Sequence, residues 1–298
     1  MTQLAYSVVD VFTQHALEGN ALAVFHDGRG LDEAAMQRIA REMNLSETTF
    51  VFPASTPDAA ADVRIFTPNY ELPFAGHPTI GTAWVLRRDR IAGAGARAFA
   101  LREPIGLVPV RVDEGDDPMI WLRTPPIAFA ETFDVASAAA AAGLAASDVV
   151  EGVPAQLVTA GNPNVFLAVR DAATVDRAEI DAAAFKRLVA AQTRPTCLFV
   201  FAATPSGAYS RMFAPELGVV EDPATGSATG PLAAFMMRYG LAPAADGTRF
   251  VSEQGTKMRR RSLLHVQVHG EHGADGIEVG GHVAPVASGV MTLPEVSR

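Results

Sequence analysis

The chain is nearly without cysteine: Cys197 is the one such residue among 298. No intramolecular disulfide can form, and a reducing compartment, by default the cytoplasm, is expected. Positive charge is also short. Lys and Arg number 24 against 33 Asp and Glu, a net charge of −9, which disfavours nucleic acid or an anionic membrane as the main partner. Long apolar runs are missing, since the uncharged stretches are broken by Gly, Asn or Pro, as in Gly161-Asn162-Pro163-Asn164. No membrane span is therefore expected. The segment from Met1 to Ser7 lacks the basic region and apolar core of a secretory signal. There is no His/Cys set at metal-ligand spacing and no Gly-x-Gly-x-x-Gly after a strand. Neither a metal nor a nucleotide cofactor is expected on that ground.

What is present is enough material for a large core and a pattern that occurs twice. With 49% hydrophobic and 19% charged residues the chain is globular. At this length it buries about 75% of its unfolded surface without needing a metal or a disulfide. Gly19-Asn20-Ala21-Leu22 opens an apolar run near the start, and Gly161-Asn162-Pro163-Asn164-Val165 opens another past the midpoint. Arg64-Ile65-Phe66-Thr67-Pro68 is answered by Arg211-Met212-Phe213-Ala214-Pro215, and Gly76-His77-Pro78-Thr79 by Gly226-Ser227-Ala228-Thr229. The landmarks keep their order at similar spacing: 45 then 12 residues in the first half, 50 then 15 in the second. An internal repeat on this scale means two copies of one fold unit.

Periodicity fills in the elements. Strands are expected near Leu4–Phe12, Leu22–Phe25, Thr48–Phe52, Val63–Phe66, Ala98–Leu101 and Leu107–Val112, with helices over Asp32–Met43 and from Pro78 to about Arg88. In the second half, strands are expected near Gln156–Thr159, Val165–Val169, Thr196–Phe201, Tyr209–Phe213, Arg249–Ser252, Leu264–Val268, Ile277–Val279 and Val290–Leu293. Helices are expected at Ala136–Ala146 behind Asp134, at Asp181–Ala190 and from Ser227 to Tyr239. The Pro78 and Ser227 helices are apolar on several sides, so both are buried. The class is α+β: two lobes related by a pseudo-two-fold axis, each a sheet or barrel around a central helix. Their bounds are residues 1–120 and 121–298, with the last strand able to pack back on the first lobe. The basic run Lys257, Arg259, Arg260, Arg261 reads as a solvated turn between strands.

Each buried helix begins with a glycine and a polar residue. Unpaired N–H groups and the positive end of the dipole gather there, which suits a carboxylate or phosphate. If the axis holds, both helix starts face one cleft. For a single helix the plainer reading, that His77 and Ser227 are caps, is favoured; the duplication moves the balance to a ligand site. His77 is a candidate proton shuttle and Asp222 a candidate polarising group, against an ordinary structural histidine and an Asx-turn residue. Glu47 stands where the first helix hands over to a strand, amid Leu45 and Phe50. A carboxylate beside apolar material has its pKa raised, as neutral-pH acid/base work needs; on position alone a surface charge is the simpler reading.

The runs Met36 to Phe50, Glu71 to Thr79 and Arg211 to Ala228 together resemble the PhzF-like isomerases of phenazine biosynthesis, over nearly the whole chain. The resemblance implies the diaminopimelate epimerase fold and a cofactor-free proton shift on a cyclic dihydro-hydroxyanthranilate. It implies Glu47 as general acid/base, with His77 and Asp222 assisting. It further implies Asn20, Gly76, Gly226 and Ser227 as substrate-binding residues, the Gly226-Ser227 start taking the substrate carboxylate, and a homodimer. One stretch departs: the family often reads Gly-Arg-Pro-Ser after the Gln-Gly turn, and here stands Arg259-Arg260-Arg261-Ser262. A two-thiol racemase of the same fold is excluded, since His77 and Ser227 occupy the thiol positions. An isomerase or epimerase of another small carboxylate, and a non-catalytic metabolite-binding or scaffold protein, remain as alternatives; the latter has no need of the base.

Overall fold

The computed structural model describes residues 2–92 and 95–293. The chain divides into two compact units, one of Met1–Arg123 with Gly280–Arg298, the other of Thr124–Val279.

The first unit opens with β1 (Thr2–Val11) and β2 (Asn20–Phe25), an antiparallel pair. Helix α1 (Glu33–Met43) then returns the chain so that β3 (Glu47–Phe52) lies parallel to β2. The helix starts because Asp32 accepts from the Ala35 amide at 2.7 Å. It stops because Asn44 takes a left-handed conformation, φ 51°, whose N–H bonds back to Ala40 O. Three residues later the strand begins, at Glu47. The sheet continues with β4 (Ala61–Phe66), antiparallel to β3, which carries β5 (Glu71–Leu72) on its end. After α2 (Gly76–Arg88), β6 (Ala98–Glu103) pairs parallel with β4, and β7 (Gly106–Val112) and β8 (Ile120–Arg123) follow antiparallel. The C-terminal strand Val283–Leu293 runs antiparallel along β1.

Helix α2 packs against β1, β2, β3, β8 and the C-terminal strand, so the sheet wraps it. That enclosure requires Gly81: a Cβ there would lie 2.6 Å from Leu22 and 2.8 Å from Val11. On the opposite face Phe25, Phe50 and Phe66 pack ring to ring with Met36, Ile39 and Ala40 of α1. Each fully buried ring of this kind stabilises the unit by roughly 1.5–3 kcal/mol.

The second unit repeats the plan. Strands β9 (Ala128–Phe133), β10 (Ala155–Thr159) and β11 (Pro163–Ala168) are antiparallel neighbours. Helix α3 (Val135–Ala141) lies between β9 and β10 in sequence. Two short helices, α4 (Ala172–Arg177) and α5 (Ala182–Leu188), form the crossover to β12 (Cys197–Thr204), parallel to β11. Then β13 (Gly207–Ala214) pairs antiparallel with β12 and carries β14 (Val219–Asp222) on its end. After α6 (Gly226–Arg238), β15 (Arg249–Gln254) pairs parallel with β13, and β16 (Ser262–His269) pairs antiparallel with β15. Phe166 and Phe201 pack on Phe235 of α6 at 5.6 and 5.7 Å.

The pairing pattern of β1 to β7 is therefore that of β10 to β16, strand for strand, and its register aligns the two units residue by residue. Phe50 lies opposite Arg64, and Val200 opposite Arg211. Arg64 grips Glu71 through two bonds, 2.7 and 2.5 Å, and stacks on Phe66. Arg211 grips Glu221 at 2.8 and 2.7 Å and stacks on Phe213.

The elements expected from periodicity are present, with differences at their ends. The helix expected over Ala136–Ala146 stops at Ala141, because Gly143 turns left-handed (φ 66°) against the Glu179 carbonyl. The last strand, expected only at Val290–Leu293, begins at Val283. Its middle residues are exposed and lack alternation; backbone pairing with β1, not pattern, extends it. Lys257 and the Arg259–Arg261 run lie in the turn between β15 and β16, where Arg261 donates to Glu253 at 2.8 Å. Among the described residues no helix is long and apolar enough to cross a membrane.

Candidate active site

Residue by residue, the register aligns Asn20 with Asn162, Glu47 with Cys197, Leu72 with Asp222, and the α2 start with the α6 start. The same scaffold positions thus carry different chemistry in the two units, and each is described in turn.

In the first unit the structure brings together Asn20, Glu47, Gly76 and His77. Asn20 opens β2 directly after Gly19, whose φ of 64° and closeness to the Val11 carbonyl oxygen leave no room for a side chain. Its amide Nδ2 lies 3.3 Å from His77 Nδ1. The other ring nitrogen, Nε2, lies 3.3 Å from Glu47 Oε2. His77 is 4% exposed, and burial lowers its pKa from 6.5 to about 3, opposed by a backbone hydrogen bond with Ala21. The ring is accordingly neutral at physiological pH. Glu47 therefore faces an imidazole that can hydrogen-bond but carries no charge. The Glu47 side chain is largely enclosed, 17% exposed, and its Oε2 is buried.

His77 is not a cap. The N-cap of α2 is Ala75, which has no side chain able to bond the first-turn amides. The α6 start is alike: Thr225 is the N-cap and makes no side-chain cap bond. Its hydroxyl instead donates to Asp222 Oδ2 at 2.6 Å, and its N–H to Gln254 Oε1 at 3.1 Å. The second unit so brings together Asp222, Gly226 and Ser227. Asn162 Nδ2 donates to Ser227 Oγ at 3.5 Å, reproducing the Asn20–His77 contact at the repeated position. Asn162 is marked in the sequence only by the repeated Gly-Asn pair, and Gln254, which donates directly to Asp222 O at 2.7 Å, carries no signal in the linear pattern.

Cys197, at the register position of Glu47, is buried and its thiol is pushed up to about 12, mainly by burial. A thiol so hard to ionise is no proton acceptor at neutral pH. The Glu47–His77 contact is thus confined to the first unit, and the second carries Asp222 and Ser227 on either side of the α6 N-cap.

A helix wrapped by sheet and built twice is the architecture of the diaminopimelate epimerase-like class of fold. Residues 9–289 match the model of the PhzC-PhzF family, phenazine biosynthesis-like proteins, and the chain belongs to that family. The trans-2,3-dihydro-3-hydroxyanthranilate isomerase of Pseudomonas aeruginosa is 36% identical over 293 residues, spanning 95% of this chain and 98% of that protein. A structure of a predicted epimerase from Pseudomonas aeruginosa is similar at a TM-score of 0.81 and 36% identity, over 98% of this chain and 100% of that one. The crystal structure of a Bacillus anthracis protein of the PhzF family shares the fold at a TM-score of 0.88 and 23% identity, over the same shares. The chain is an isomerase of this family.

Proposed function

We propose that the protein isomerises trans-2,3-dihydro-3-hydroxyanthranilate or a closely similar cyclic dihydro acid, with Glu47 as the single proton carrier and no cofactor. The observation that carries this reading is the pairing of Glu47 with a buried neutral imidazole. Glu47 removes a proton from one ring carbon, and the electron pair moves through the adjoining double bond. The acid so formed returns the proton to a second carbon on the same face, so atoms and charge balance without a second thiol. His77, held by Asn20, orients Glu47 and donates or accepts a hydrogen bond as the carboxylate changes state. The name of the Pseudomonas aeruginosa relative supports the substrate class.

Incubation with trans-2,3-dihydro-3-hydroxyanthranilate in deuterated water tests the reading. Deuterium is expected at a ring carbon of substrate or product by NMR. Folded protein that yields neither an isomer nor deuterium label across a panel of dihydroaromatic acids removes it, whereas isomer formed without label means the proton is returned before it exchanges.

For the second unit we propose that the uncapped α6 start binds the substrate carboxylate through the Gly226 and Ser227 region, with Asp222 polarising a neighbouring group. The absence of a side-chain cap and the small residues at this start support it. Ser227→Trp is expected to weaken binding of 3-hydroxyanthranilate by about tenfold or more in calorimetry. Unchanged affinity places the carboxylate elsewhere. The family resemblance also supports a homodimer, which sedimentation velocity checks.

A further inference from the structure

Glu103 is the last residue of β6 and 4% exposed. Its Oε1 lies 2.6 Å from Thr79 Oγ1, in the first turn of α2. The same hydroxyl lies 2.8 Å from Ala75 O. A threonine hydroxyl has one proton and cannot donate to both oxygens. The second unit shows which bond the scaffold keeps. There Thr229, the register counterpart of Thr79, donates to Thr225 O at 3.0 Å. With that bond retained in the first unit, the proton between Thr79 and Glu103 has to come from Glu103.

The repeat supplies a second, independent reason. Leu101 lies opposite Ala61 and Ser252 opposite Ala208, so the register aligns Glu103 with Gln254, the last residue of β15. Gln254 is wholly buried and donates from Nε2 to Thr225 Oγ1 at 3.0 Å and to Asp222 O at 2.7 Å. A protonated glutamate is the neutral counterpart of a glutamine, with one donor and one acceptor; an ionised one has no donor. The other oxygen of Glu103, Oε2, is buried with no hydrogen-bond partner. Leaving a full carboxylate in that state is costly.

We propose that Glu103 is held as a neutral carboxylic acid whose O–H donates to Thr79, a positioning residue that clasps the first turn of the helix carrying His77. Glu103 and Gln254 both tie the strand end to the start of the following helix, Gln254 at the N-cap residue Thr225 and Glu103 one turn further on at Thr79. The Glu103 clasp opens when Glu103 ionises. The charged and titratable side chains on the surrounding elements are Asp62 and Arg64 on β4, Glu71 on β5, Arg102 on β6 itself, Arg111 on β7, and His77, Arg87 and Arg88 on α2. Arg64 is occupied by Glu71 and Glu33. Burial raises Glu103 to about 8, opposed only by the Thr79 contact. The folded protein therefore holds a proton that the unfolded chain releases above its ordinary value of 4.5. The resulting stabilisation is complete below that value and is lost as pH rises to about 8.

The test compares wild type with Glu103→Gln, which keeps a donor at every pH. The Tm difference in favour of the variant is expected to widen by about 2–4 °C or more between pH 5 and 8.5. In ring-labelled protein, the His77 resonances, assigned by their loss in His77→Asn, are expected to shift near pH 8 in wild type and to stay still in Glu103→Gln. His77 itself titrates near 3, so a change near 8 reports on its surroundings. Parallel Tm profiles and His77 signals that stay still near pH 8 in wild type overturn the proposal. Should Glu103→Gln not fold, wild type alone decides by infrared spectroscopy. A protonated-carboxyl band that bleaches near pH 8 and is shifted by Thr79→Val supports the clasp; a band absent at pH 7 overturns it.

Discussion

Glu47→Gln is expected to lower turnover by about 10²–10⁴-fold while leaving substrate affinity within a few-fold. The substitution keeps the shape of the side chain and its capacity to meet His77, which lies 3.3 Å away. Only the ability to accept a proton is lost, so an interaction needed in the transition state disappears while ground-state contacts survive. Glu47→Asp retracts the carboxylate by one methylene and is expected to lose less. His77→Asn removes the orienting ring but not the base, so its loss should fall between the two. The neutral state of His77 makes a further distinction. Its pKa is about 3, so a pH–rate profile with a limb near 6.5 must arise from another group. Steady-state kinetics of the three variants decide the matter. A Glu47→Gln enzyme with near wild-type turnover would assign the proton transfer to a different residue.

Arg211→Met is expected to destabilise the second unit by about 3–5 kcal/mol, against about 1 kcal/mol or less for Arg64→Met in the first. The two arginines occupy the same position of the repeat and make the same bidentate bond to glutamate, but their surroundings differ. Arg211 and Glu221 have side chains each 12% exposed. Arg64 is 30% exposed and Glu71 24%. The Arg211 guanidinium also donates to Ala178 O at 2.6 Å and lies beside the carbonyls of Val175 and Asp176. These are carbonyls at the end of α4, which a cation there both bonds and balances electrostatically. Removing Arg211 leaves a largely enclosed carboxylate and the Ala178 carbonyl without their donor, while Val175 O keeps the Ala178 N–H. At Glu71, water reaches the carboxylate more readily. Adding Glu221→Leu to Arg211→Met is expected to recover part of the loss, because no buried charge is then left alone. Urea unfolding of the four proteins provides the comparison. Equal costs for the two single substitutions would show that burial is not what separates the pairs.

The fold behind both expectations is a duplication legible in the amino-acid order. The Gly-Asn turns, the Arg-x-Phe-x-Pro strand ends and the glycine-headed helices are local signals. Each is written in a few adjacent residues, by left-handed backbone, by proline ending a strand, or by an apolar helix face. The position of Glu47 at the α1-to-β3 handover was legible for the same reason, since Asn44 ends the helix and the strand pattern starts at once. Elements written without such signals were missed. β5 and β14 are short edge segments, α4 is six residues long, and most of the C-terminal strand is exposed.

The amino-acid order by itself determined the α+β class, the doubling and the candidate residues Asn20, Glu47, His77, Asp222 and Ser227. Tertiary structure alone decided what those residues meet. Strand pairing sets which side chains share a position, and a pairing joins residues far apart in the chain whose one-residue slip would change every contact. That register put Cys197 where the first unit has Glu47, and Gln254 where it has Glu103. Burial, a property of the assembled unit, then made His77 neutral and holds Glu103 to about 8. No local pattern carries that information, because the desolvation of a side chain depends on everything packed around it.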